Sequence, residues 1–213
     1  ERFMNEEDIT LISPHQAPGL YDAFGTEDFD DLYLKYEADK TIPKKTVPAQ
    51  DLFFDLLKER AETGRIYIMN LDHCNTHSSF KDKVSMSNLC QEITLPTTPI
   101  QDIHDEQGEI ALCILSAVNV GGLNDLNELE SICDLSVRAL EQIIDYQDYP
   151  VKAAEVSTKK RRSLGIGYIG LAHYLAKHGV KYSDPKAWEL VDRLTEAFQY
   201  NLLRASCNIA MEK

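Results

Sequence analysis

Residues that bend or interrupt a chain are scarce here: 10 glycines and 8 prolines stand in 213 residues. That excludes a collagen-like chain and a Pro/Gly-rich disordered one. No apolar run reaches about 18 residues, so no segment reads as a membrane-spanning helix. Positive charge is also in short supply, with 22 Lys and Arg against 35 Asp and Glu and a formal net charge of −13. Sequence-independent binding to nucleic acid needs a basic surface that displaces counterions, so that class is excluded. An anionic membrane is excluded as a partner on the same ground. The acid excess is steepest over residues 1–62, which carry 15 acidic and 7 basic side chains, and reads as a solvated face. Cysteine is limited to Cys74, Cys90, Cys113, Cys133 and Cys207. An odd number at wide spacings, with no secretory signal at the start, predicts reduced thiols and a cytoplasmic location. The chain opens on Glu1-Arg2-Phe3 and stops at Met211-Glu212-Lys213 within a helical pattern, as expected of a piece of a longer protein.

What is present is an ordinary globular composition, 43% hydrophobic. Residues 9–13 read as a short strand and 27–39 as an acidic helix with Phe29, Leu32, Tyr33 and Tyr36 on one face. Residues 48–62 give a helix whose stripe is Phe53, Leu56, Leu57, Arg60 and Ala61, with Pro48 in its first turn and Gly64 as its stop. The apolar run 66–71 predicts a strand buried on both faces. A loop over 72–83, a strand over 91–95 and a second apolar strand over 110–118 follow. Helices are expected over 126–146 and 169–178, with a short strand at 164–167 between them. A long final helix is expected with Ser183 as its cap, Pro185 in its first turn, and Leu190, Val191, Leu194, Phe198 and Leu202 on its buried face. The predicted class is α/β, with a mainly parallel sheet covered by helices. Residues 1–62 form its mainly helical acidic part, and 63–213 its strands and covering helices.

Ser87-Asn88-Leu89-Cys90-Gln91-Glu92-Ile93 is the most suggestive segment. If it is extended, Asn88, Cys90 and Glu92 share one face over about 13 Å. An amide, a thiol and a carboxylate together form a working chemical set, although a polar loop entering a strand with a small buried cysteine explains the same spacing. Cys113, Cys133 and Cys207 read individually as structural residues, because a thiol is commonly a small core hydrophobe. His73, Cys74 and His77 lack the second ligand cluster that a structural zinc site requires, so no metal is expected. Gly165-Ile166-Gly167-Tyr168-Ile169-Gly170 matches G-x-G-x-x-G, the dinucleotide fingerprint. The residues before it, Lys159-Lys160-Arg161-Arg162-Ser163, are unfit for a buried strand. Close packing where a strand meets a helix is the simpler reading of the glycines, and a solvated loop that of the basic cluster.

Taken together and in order, these segments resemble the class I ribonucleotide reductase large subunit, in its aerobic enterobacterial form. Ser87–Ile93 resembles the family's radical-cysteine loop, Asp72-His73-Cys74-Asn75 its D-x-C-N motif, and Ala111-Leu112-Cys113 the strand with one redox cysteine. Ile143-Ile144-Asp145, Tyr149-Pro150, the stretch from Arg162 to Ala172, and Ala205-Ser206-Cys207 follow in the family's order. The resemblance runs over about residues 60–213, and more weakly before.

The resemblance implies a portion of a ten-stranded α/β barrel made of two five-stranded halves, with the radical cysteine on a loop inside it. It implies reduction of ribonucleoside diphosphates to 2′-deoxyribonucleoside diphosphates. Cys90 would be the transient thiyl radical, Glu92 the base on the 3′ hydroxyl, Asn88 a substrate ligand that also holds Glu92, and Cys113 half of the reducing dithiol. The implied partners are a small subunit that supplies the radical from a di-iron tyrosyl centre, a second large subunit, ATP and dNTP effectors, and thioredoxin or glutaredoxin. No cofactor would bind this chain itself. The ATP-binding region, Cys113's partner cysteine, the radical-passing tyrosines, the shuttle cysteines and the main phosphate loop would all lie outside it. The 213 residues alone are therefore expected to be inactive. Two alternatives stay open: an NAD(P)-dependent dehydrogenase domain built on Gly165–Gly170, and a non-catalytic acidic interaction module.

Overall fold

The computed structural model describes residues 1–213, which divide into two compact units, Glu1–Thr97 and Thr98–Lys213.

In the first unit, β1 (Asp8–Ile12) pairs antiparallel with β2 (Lys44–Pro48), with Thr10 opposite Thr46. Between them lies α1 (Asp28–Ala38). It is tied to β1 by the Tyr33 hydroxyl, which donates to the Thr10 carbonyl and accepts from the Thr10 amide, both at 2.8 Å. Arg2 grips Glu37 through two bonds of 2.7 and 2.6 Å, and this guanidinium contact outweighs burial and holds the Glu37 carboxyl down at about 2. The next helix, α2 (Ala49–Thr63), begins just after Pro48 and stops at Gly64. Gly64 takes the left-handed conformation (φ 66°) that ends helices cheaply only in glycine. Its expected buried stripe is largely uncovered in this chain: Phe53 is 43% and Leu57 39% exposed.

Two expected strands are absent. Residues 66–70 are unpaired chain with Ile68 half exposed, and α3 (Leu71–Thr76) stands where the loop was predicted to begin. Residues 91–95 are irregular as well. An apolar run becomes a strand only when a neighbouring edge takes up its backbone N–H and C=O groups. In this unit the one sheet is the β1–β2 pair, and neither segment is hydrogen-bonded onto its outer edges.

In the second unit, β3 (Ile114–Asn119) and β4 (Leu164–Ile169) form a parallel pair, with Leu115 opposite Gly165 and Val118 opposite Tyr168. The first of these starts four residues later than the 110–118 run suggested. Between them run α4 (Leu129–Tyr146) and α5 (Lys152–Arg161); α6 (Leu171–Lys177) and α7 (Pro185–Glu212) follow. The core joins Val118 and Val120 to Leu129 and Cys133 of α4, Leu175 of α6, and Leu194 and Phe198 of α7. Tyr168 meets the Phe198 ring edge-on at 5.7 Å. Pro185 opens α7 as expected, but Asp184 rather than Ser183 occupies the cap position.

Alternation along these strands divides the sheet's two faces. Ile166, Tyr168 and Val118 turn to the helices, while Leu115, Ala117, Asn119, Gly167 and Ile169 are exposed. Burial on both faces, expected from the apolar runs, is therefore met on one face only. The sheets hold two strands each and close no barrel among these residues. No helix is long and apolar enough to cross a membrane.

Candidate active site

The segment from Val84 to Ile93 is a closed loop rather than an extended strand. Val84, fully buried, is held by Asn75: its side-chain nitrogen donates to the Val84 carbonyl (2.9 Å), and its oxygen accepts from the Val84 amide (2.8 Å). The same nitrogen donates to the Leu71 carbonyl at 2.8 Å, so one side chain joins the start of α3 to the start of the loop. Further on, the Gln91 amide donates to the Asn88 carbonyl at 3.1 Å, and Gln91 has φ 62°. This left-handed residue reverses the chain and breaks the i, i+2, i+4 alternation that was to align Asn88, Cys90 and Glu92. The Asn88 side-chain oxygen accepts from the Ile93 amide (3.1 Å), and the Ser87 hydroxyl donates to the Ile93 carbonyl (2.7 Å). Asn88, Cys90 and Glu92 thus lie on one short loop, each exposed. That is a correction to the shared-face expectation, and exposure of this kind is also what a non-catalytic module would show.

Asn75 belongs to a motif that was legible, but its task was not: the signal was an amide four residues after the start of a helix and nine before a buried valine. Asn75→Ala would orphan both backbone groups of Val84, at a cost of about 1–3 kcal/mol. The expected outcome is faster hydrogen exchange at Val84–Ile93 in the full-length protein, and unchanged protection there would refute the clamp.

In the second unit Cys113 directly precedes β3 and is half-buried, its side chain toward the uncovered face near Gly165. Cys133 is fully buried in the core, and burial pushes its thiol pKa up, as fits a structural cysteine. Cys207, also read as structural, is exposed on α7. No three His, Cys, Asp or Glu side chains gather as a metal-ligating group.

The glycine-rich segment is not a dinucleotide loop. Its first two glycines lie inside β4, a helix rather than a strand precedes it, and Gly170 follows the strand. Gly170 has φ 80°, and a Cβ there would lie 2.3 Å from the Asn119 side-chain oxygen. It therefore serves close packing between the strand end and α6, and the dehydrogenase reading fails. Nor are Lys159–Arg162 a solvated loop: they end α5, where positive charge meets the helix dipole. Lys159 pairs with Glu155 (2.8 Å), Arg161 and Lys160 with the buried Glu109, and Arg162 with Glu141 (2.5 Å) and Asp145 (2.8 Å). With its cations so engaged, the cluster offers no phosphate site.

Cys90 thus lies on an irregular loop of the first unit, and Cys113 directly precedes the parallel β3–β4 pair of the second. The family model "Ribonucleotide reductase, barrel domain" matches residues 1–213, and the chain belongs to that family. Among its relatives, the "Ribonucleoside-diphosphate reductase subunit alpha" of Haemophilus influenzae is 56% identical over the whole chain and 29% of that protein. The protein of the same name from Buchnera aphidicola subsp. Baizongia pistaciae is 55% identical over the same shares. The "Ribonucleoside-diphosphate reductase 1 subunit alpha" of Escherichia coli K12 is 54% identical over all of this chain and 28% of its own length. The chain thus spans less than a third of these relatives.

Proposed function

We propose that this chain is part of the catalytic barrel of a ribonucleoside-diphosphate reductase large subunit. The observation that carries the reading is the family match across all 213 residues. In this reading the uncovered face of β3 and β4, beside Cys113, lines the substrate cavity. The exposure of Asn88, Cys90 and Glu92 then leaves their side chains open to a substrate.

The chemistry is the one that the family resemblance implies for these residues. A thiyl radical on Cys90 takes the 3′ hydrogen of a ribonucleoside diphosphate, forming S–H and leaving a carbon radical. Glu92 accepts the 3′ hydroxyl proton. Asn88 retains its two N–H donors for the substrate, because its oxygen is engaged by the Ile93 amide. The 2′ hydroxyl leaves as water. Cys113 and a second cysteine give up two electrons and two protons and end as a disulfide. The 3′ hydrogen then returns from Cys90, restoring the thiyl radical. A small radical-generating subunit with a di-iron tyrosyl centre would oxidise Cys90, and thioredoxin or glutaredoxin would reduce the spent disulfide. A large-subunit dimer, ATP and dNTP effectors acting outside these residues, and a cytoplasmic setting complete the proposal.

Cys113→Ser in the full-length protein tests it. Steady-state turnover with dithiol reductants is expected to stop, and unchanged turnover would remove Cys113 from the redox pair.

A further inference from the structure

Cys113 and Gly165 are neighbours on the uncovered face of the β3–β4 pair. Leu115 lies directly opposite Gly165 in the parallel register. Cys113, two residues before Leu115, falls on the same side of the sheet. A Cβ built on Gly165 would lie 2.7 Å from the Cys113 Sγ and 2.5 Å from Leu115 Cδ2, closer than such atoms approach. The sulfur therefore occupies space that only glycine leaves free. Gly165 does not have positive φ, so its backbone accepts alanine without strain and the conflict is purely one of space. Leu115 is 60% exposed and can swing aside. What alanine would have to displace is the thiol. Two strand positions along, on the same face, Gly167 has nothing within 4 Å of its built Cβ. The two glycines thus differ in contact with the sulfur while sharing strand and face.

We propose that Gly165 is a positioning residue: its missing side chain is the seat that fixes the Cys113 sulfur where the disulfide forms. The inference rests on the redox reading of Cys113. Disulfide geometry is narrow, and a sulfur pushed off its position gives a strained bond that is reduced more readily. The chemical step is unchanged, two thiols losing two electrons and two protons to the substrate. Only the location of one sulfur is at issue.

The test uses the full-length large subunit, oxidised by turnover and equilibrated across a series of thioredoxin-type dithiol/disulfide buffers. Mass spectrometry reads the fraction of Cys113 held in a disulfide. Gly167→Ala is expected to titrate with the parent. Gly165→Ala is expected to shift the equilibrium toward the reduced form by about tenfold, or about 30 mV for a two-electron couple. Its steady-state turnover should fall about 10- to 100-fold, the scale of a misplacement of about 1 Å, with substrate affinity retained. Should Gly165→Ala fold poorly, the Gly165→Ala/Leu115→Ala double variant removes the leucine overlap and leaves only the sulfur to be displaced. Superimposable titrations of the Gly165 and Gly167 variants would overturn the proposal. A parent protein in which Cys113 never enters a disulfide would overturn the redox reading beneath it instead.

Discussion

Cys90→Ser in the full-length large subunit is expected to lower nucleotide reduction by a factor on the order of 10⁴ or more, the scale seen when the bond-making group itself is removed. The substitution exchanges sulfur for oxygen and leaves the outline of the side chain nearly intact. Cys90 is exposed on a loop whose closure runs through Asn75, Ser87, Asn88 and Ile93, so folding should not depend on its sulfur. Nucleotide affinity, read by equilibrium dialysis, is expected to survive while deoxynucleotide formation disappears. Retained turnover would refute the radical role and return the exposed loop to the interaction-module reading. The same change at Cys133 would be a different experiment, because that sulfur is fully buried and a hydroxyl there would lack water.

What could be read from the sequence follows how local each signal is. The helices α1, α2, α4 and α7 repeat their apolar positions every 3.6 residues, and a helix satisfies its own backbone, so periodicity located them. The expected strands at 66–71 and 91–95 failed for the converse reason: a strand needs a partner edge, and no local pattern says whether one is present. The helix α5 was missed because it buries small residues, Ala153, Ala154, Ser157 and Thr158, which make no apolar stripe. Its exposed cations looked like a loop until Glu109, Glu141 and Glu155 appeared opposite them. At the candidate site, the residue types on the Ser87–Ile93 loop were legible and its shape was not. The positive φ of Gln91 is set by the turn that Asn88 closes, and glutamine gives no hint of it. Gly165 was legible as a glycine that permits close approach, but which atom approaches is fixed by the β3–β4 register, a contact between segments some fifty residues apart.

Glu109→Gln is expected to loosen the segment leading into Cys113 by roughly 3 kcal/mol, the lower end of the range for breaking a buried ion pair. Glu109 is 5% exposed, with Arg161 on one carboxylate oxygen at 2.6 Å and Lys160 on the other. Its backbone exchanges hydrogen bonds with Thr98 at 3.0 and 3.1 Å, and the next amide, Ile110, donates to the Ala153 carbonyl at 3.2 Å. The carboxylate therefore fastens both ends of the 98–110 excursion to α5, four residues before Cys113. The low end applies because Lys160, 59% exposed, can return to water, whereas Arg161, 11% exposed, loses the charge of a carboxylate held at 2.6 Å. Burial pushes the Glu109 pKa upward, but the hydrogen bonds from Lys160 and Arg161 outweigh it and hold the carboxyl below its ordinary value of 4.5. A carboxyl depressed by folding stabilises fully above its unfolded pKa and loses that contribution as pH falls through the folded value. Hydrogen exchange of residues 98–112 in the full-length protein should accelerate in Glu109→Gln at neutral pH. The stability difference between parent and variant, from urea unfolding, should shrink as pH falls below 4.5 and through the parent's depressed carboxyl pKa, where that carboxyl takes up a proton. A difference that stayed constant across that range would mean that Glu109 acts through packing, and that its charge does not hold the approach to Cys113.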